Sequence, residues 1–102
     1  MRPVSTTSAS NSKQLVTGPC QFLGMIASSS VAGWFMLFDA IIRPADGAVS
    51  PAAAWKVNAD QTIDFEHMHP IECNTGAIIV FSTTGPYTLT ASATAFIVGK
   101  VR

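Results

Sequence analysis

The chain has 102 residues, room for one domain, and is 48% hydrophobic but only 12% charged. That balance excludes intrinsic disorder, which needs low hydrophobicity and high net charge. The net charge is zero and no basic run is present to neutralise a phosphate backbone, so no nucleic-acid partner is expected.

Residues 1–13, MRPVSTTSASNSK, are polar without an apolar period and predict an extended N-terminal arm ahead of a folded body over 14–102. Met1-Arg2-Pro3 leads into this polar tract rather than into an apolar stretch, unlike a signal peptide, and the expectation is a soluble protein made in the cytoplasm. Gln14 to Phe38 carry no charge, but Gly18-Pro19, Gln21, Gly24 and Ser28-Ser29-Ser30 interrupt the run. A membrane-spanning helix needs about 20 mostly apolar residues, so no membrane partner is expected.

Within this region Leu15-Val16-Thr17 reads as a short strand closed by the Gly18-Pro19 turn. Cys20 to Ala27 is an apolar run ended by the three serines, and Gly33 to Phe38 is apolar on both alternating faces. A strand without a polar face predicts cover on both sides, by its own domain and then by something else. Asp39 ends it, and Asp46-Gly47 suits a turn that needs positive φ. Pro51-Ala52-Ala53-Ala54 predicts at most one helical turn before a strand at Trp55-Lys56-Val57.

After a turn at 58–61, Thr62 to Glu66 alternate as a half-buried strand, which the chain leaves over His67 to Pro70. Ala77 to Ser82 form a β-branched strand of buried type. A turn at 83–86 then leads to a long alternating strand from Tyr87 to Ala95, with Tyr87, Leu89, Ala91, Ala93 and Ala95 on one face, continued by Phe96 to Val101. Seven or eight short strands with regular turns predict an all-β chain: an antiparallel β-sandwich, jelly-roll-like, with an N-terminal arm.

Chemistry has few places to reside. His67 and His69, the only histidines, lie two apart with Glu66, Glu72 and Cys73 nearby, but a zinc site wants three or four convergent ligands. One solvated and one packed histidine at a strand end account for the pattern. Asp64 and Glu66 share a strand face, whereas paired glycosidase carboxylates come from different elements across a cleft. There is no GxSxG elbow, and the glycines are scattered as turn positions rather than gathered into a phosphate loop. No enzymatic activity and no cofactor or metal are expected. Cys20 and Cys73 lack metal-site spacing; reduced burial as small hydrophobes and a disulfide between adjacent strands both remain open.

The acids all lie between Asp39 and Glu72, while four of the six bases (Arg2, Lys13, Lys100, Arg102) lie near the ends, a distribution that could pair between copies. With so few ionic groups, either the plentiful Ser and Thr coat the surface or neighbours cover part of it. Trp34, Phe35, Phe38, Trp55, Phe65 and Tyr87 read first as core. Aromatic residues are also enriched in subunit interfaces. A glycan- or host-surface-binding platform built on Trp55 or Tyr87 is a further alternative.

Leu15 to Gly24, the strand ending Leu37-Phe38-Asp39, and the closing Tyr87-Thr88-Leu89-Thr90 to Ala95-Phe96-Ile97 follow in an order that resembles small β-sandwich virion proteins of tailed bacteriophages. The resemblance runs from about residue 14 to 102 and is a pattern of strand ends and turns. It departs from the pattern at Asp39-Ala40, where many such sequences have Asp-Gly; here Asp46-Gly47 comes later. The resemblance implies a non-enzymatic structural role in the virion, assembled in the host cytoplasm: a capsid decoration (cement) protein, or a neck or tail component. Its implied partners are copies of itself, with a trimer favoured for decoration and a hexameric or larger ring for the neck, and the major capsid protein or neighbouring virion proteins. Candidate interface residues are Arg2, Pro3, Val4 and Lys13 of the arm, with Trp34, Phe35 and Trp55 of the body.

Overall fold

The computed structural model describes residues 2–5, 12–85 and 87–101, and the side chains of all of these except 2–5 and 65–70. The described residues form ten strands and no helix: β1 (Arg2–Ser5), β2 (Ser12–Val16), β3 (Cys20–Ser29), β4 (Gly33–Phe38), β5 (Gly47–Ala48), β6 (Ala53–Val57), β7 (Thr62–Cys73), β8 (Ala77–Ser82), β9 (Thr88–Leu89) and β10 (Ala95–Val101). Two four-stranded sheets result. Sheet A has the order β1-β10-β3-β7 and sheet B the order β2-β8-β4-β6, while β5 and β9 make a separate two-stranded ribbon. Every pairing is antiparallel.

The two sheets bury a common core. Sheet A contributes Phe22, Met25, Ala27, Ala95, Ile97 and Val101, and sheet B contributes Leu15, Phe35, Leu37, Val57, Ala77, Ile79 and Phe81. The period-2 direction of strand side chains accounts for both sets, except that the register irregularity between Phe22 and Gly24 lets both Phe22 and Met25 of β3 face the core. Phe35 and Phe81, directly opposite in register, meet at a ring-centroid distance of 5.0 Å in a tilted arrangement. Each fully buried side chain of this size contributes about 1.5–3 kcal/mol relative to exposure. Across the layers, Leu15 of β2 packs where a side chain on Gly99 of β10 would sit, and Phe22 of β3 meets Trp55 of β6 at 5.7 Å. These contacts put β1 and β2 at one side of the sandwich and β7 and β6 at the other.

Sheet B is apolar on its outer face as well. Met36, Phe38, Ile78 and Val80 point away from sheet A and, with Leu89, form a second buried cluster against which Trp34, Ala40, Val49 and Ala54 pack. This cluster explains why β4 and β8 lack a polar face. The second cover expected for β4 is supplied by the chain itself: the 40–50 segment and the β5–β9 ribbon lie over sheet B. The apolar run of Gly33 to Phe38 is thus satisfied within one chain.

Four further expectations concern where strands begin and end, and those for His67 to Pro70 and for Tyr87 to Ala95 are corrected. The alanines before Trp55 form no helical turn; Ala53 and Ala54 begin β6, opposite Leu37 and Met36 of β4. There the pairing with a central strand outweighs the helix propensity of three alanines. The chain does not leave its strand at His67, because β7 continues to Cys73. Its pairing with β3 steps from Gly24↔Glu66 to Phe22↔Ile71, so the extra residues are absorbed as an irregularity on an edge strand. The alternating stretch 87–95 is not one strand either: Thr88–Leu89 pairs with β5, Ala91 forms an isolated bridge to Ser82, and a turn then leads into β10 at Ala95. Finally, part of the stretch expected as an arm lies in the sheets. Arg2–Ser5 pairs with Val101 to Val98 of β10, and Ser12 and Lys13 open β2.

Candidate functional site

The outer face of sheet A carries exposed and half-buried side chains among the described residues. Three rows cross it in register. Phe96 of β10 stands beside Ser28 of β3 and Thr62 of β7; Val98 beside Ile26 and Asp64; Lys100 beside Gly24 and Glu66. Alternation dictates this face: Ala95, Ile97 and Val101 turn inward to the core, which leaves Phe96, Val98 and Lys100 outward. Phe96 is 47% exposed, and Val98 and Ile26 beside it are half-buried. The result is an apolar stripe one strand pair wide. At its end the Lys100 ammonium reaches Asp64 at 3.2 Å. With Asp64 largely exposed, this pair orients its partners more than it stabilises the fold.

The residues expected at an interface are not brought together. Arg2, Pro3 and Val4 stand on edge strand β1, opposite Val101, Lys100 and Gly99. Lys13 is half-buried on edge strand β2, opposite Ile79. Trp34 lies on the outer face of sheet B beneath Gly85, where an added Cβ would sit 3.1 Å from its Cγ. Trp55 is half-buried on edge strand β6 against Phe22. Phe35 has no exposed surface at all, because β4 is a central strand and this position faces sheet A. It offers nothing to a partner in this chain and is removed from the candidates. His67 and His69, weighed as a metal pair, lie outside the described side chains. Asp64, one of the two carboxylates weighed for catalysis, is engaged by Lys100.

Sequence reasoning missed the other exposed apolar residues: Ile41 at 53%, Ile42 at 74% and Val31 at 40%, while Tyr87, weighed for glycan binding, is 71% exposed on the covering loop. It also missed two polar clamps that hold the covering loops. Asp39, at the end of β4, accepts backbone hydrogen bonds from Asn74, Thr75 and Gly76 at 3.0, 2.8 and 3.2 Å. These donors, Asn74 first, hold its carboxyl below the ordinary value of 3.8. Ser82, fully buried at the end of β8, uses one hydroxyl to gather the 83–90 loop. Its Oγ donates to the Thr84 carbonyl and accepts from the Thr84 and Thr90 N–H groups, at 3.1 and 2.9 Å. Asp46 adds a third tie, accepting from Arg43 at 3.1 Å and from the Ala91 N–H at 3.3 Å.

Comparison with protein-family models, with curated proteins and with solved structures returns no match for this chain. The outer face of sheet A, the four sheet edges and the exposed loop side chains therefore carry the functional argument by their own chemistry. Phe96, Ile41, Ile42 and Tyr87 offer exposed apolar and aromatic area to another surface.

Proposed function

We propose that this chain is a non-enzymatic jelly-roll building block of a phage virion, a capsid decoration (cement) protein that binds the capsid lattice as a homo-oligomer, with a trimer favoured. The observation that carries this reading is the strand order. With the two-residue β5 and β9 set aside, β1-β10-β3-β7 facing β2-β8-β4-β6 follows the succession of an eight-stranded jelly roll, an architecture used by capsid proteins. Two further features support it. Phe96 and its half-buried neighbours give sheet A an apolar outer stripe in a chain that is only 12% charged. β1, β2, β6 and β7 are the edges of the two sheets, where symmetric assembly can add a further strand.

The test is co-sedimentation of the full chain with tailed-phage capsid shells before and after expansion. Saturable binding to the lattice, weakened at least tenfold by Phe96→Glu, is the expected result. Shells that pellet without the chain at any concentration would count against decoration and leave a neck or tail ring, with six or more copies, as the virion role to examine.

One observation favours a second reading. Tyr87 presents its ring to solvent on the covering loop, as a glycan-binding aromatic does. Trp55 is a weaker partner in that role, since it packs on Phe22. Glycan binding that disappears in Tyr87→Ala with the fold unchanged would establish this reading over the first.

A further inference from the structure

Cys20 opens β3 and Cys73 closes β7, and the two stand directly opposite each other in the antiparallel ladder. Residues so placed have Cα atoms about 4.5–5.5 Å apart, inside the window of roughly 4.4–6.8 Å that a disulfide spans. Both are free thiols, both are buried, and their side chains hydrogen-bond to one another. Nothing else about their positions calls for sulfur: a pair of small apolar residues would fill the same end of the core.

We propose that Cys20 and Cys73 are a built modification site, a cross-strand thiol pair that a small-molecule disulfide such as oxidised glutathione converts into an intramolecular bond. The exchange balances in two steps. The Cys20 thiolate attacks one sulfur of the reagent, forming a mixed disulfide and expelling one glutathione thiolate. The Cys73 thiolate then attacks the Cys20 sulfur, closing the protein disulfide and expelling the second. Two protein thiols are oxidised, one reagent disulfide is reduced, and their two protons pass to the released glutathiones through solvent.

The surroundings set the order and the pace. Cys20 is the more accessible sulfur, at 7% exposure against 1% for Cys73, and is the first to react. Each cysteine ends its strand and adjoins exposed chain, Pro19 before one and Asn74 after the other, where opening of the last pair costs least. Burial first, then the neighbouring Cys20 and Asp39, push the Cys73 thiol up to about 12. Cys73 consequently stays protonated and unreactive at neutral pH until fraying or alkali exposes it. Once formed, the bond ties edge strand β7 to central strand β3 and closes a loop of more than half the chain, which restricts the unfolded state. The inference is independent of what the chain assembles with.

The experiment uses the full reduced chain, incubated with oxidised glutathione at mildly alkaline pH, quenched in acid, alkylated in denaturant and mapped by mass spectrometry. In denaturant the expected product is a single chain with no disulfide to another copy and no alkylated cysteine, and it yields one linked peptide pair containing Cys20 and Cys73. Its thermal midpoint lies ~10 °C or more above that of the reduced chain and falls back with dithiothreitol. Cys73→Ala should stop at a single glutathione adduct on Cys20. The proposal is overturned if both cysteines remain alkylatable, if each retains glutathione without linking, if the bond forms between chains, or if the linked product melts below the reduced one.

Discussion

Two buried or clamped polar groups do work that their neighbours in sequence could not announce. Asp39 reads in sequence as the residue that ends a strand, which it is; its acceptors' donors lie 35 to 37 residues away, at the turn between β7 and β8. Since its folded pKa is depressed, its contribution is fully present above the ordinary value of 3.8 and is lost as the pH falls through the lower folded value. Asp39→Asn should therefore lower the urea midpoint at neutral pH, and the gap between variant and parent should close on acidification below that range. A gap that stays constant with pH would mean the carboxylate's charge is not what holds the turn. Ser82 ends a β-branched run and reads as its polar stop, yet it is fully buried and ties both Thr84 and Thr90. Ser82→Ala leaves those groups without their partner and should cost about 1–3 kcal/mol in equilibrium unfolding. Asp39's role was not legible in the sequence, because hydrogen bonds between residues 35 to 37 apart leave no local period, and Ser82's was not because a polar residue at a strand end reads the same whether exposed or buried.

At the scale of elements, strands whose burial is one-sided or complete were legible, and strands whose pattern alternated without enough apolar mass were not. Cys20–Ser29, Gly33–Phe38 and Ala77–Ser82 carry enough Phe, Leu, Ile, Met and Val to require burial wherever the chain places them. The 87–95 stretch alternates as cleanly, but its inward set after Leu89 is alanine, which buries little, while loop hydroxyls take up its backbone carbonyls. Thr84 Oγ1 donates to the Thr88 carbonyl at 3.0 Å and Thr83 Oγ1 to the Thr90 carbonyl at 3.4 Å. Leu89 alone anchors the ribbon in the outer cluster, at 1% exposure. Leu89→Ala should destabilise by about 2–5 kcal/mol and, in addition, release the cover from sheet B. The released state would bind a hydrophobic dye through Met36, Ile78 and Val80 well below the unfolding midpoint. A loss of stability without dye binding would show that the ribbon and the sandwich unfold as one.

At the scale of the whole molecule, the two-sheet architecture was readable from strand count and turn spacing, whereas the cover of sheet B was not. An apolar strand announces that both its faces are covered but not by what, and here a loop of the same chain does it. The surface that bears on assembly therefore lies not on β4 but on the opposite layer: Phe96, Val98 and Ile26 on the outer face of sheet A, and the edges that border it. Of the residues first offered for an interface, those on β1, β2 and β6 keep an edge position, and Phe35 does not. If the outer face of sheet A and the sheet edges are covered by copies of the chain, that association is visible without any other partner. The most direct measurement is the solution mass of the purified full chain by light scattering across a wide concentration range. The account predicts a trimer or larger closed oligomer that Phe96→Glu dissociates into folded monomers. A folded monomer at every concentration in both proteins would contradict it.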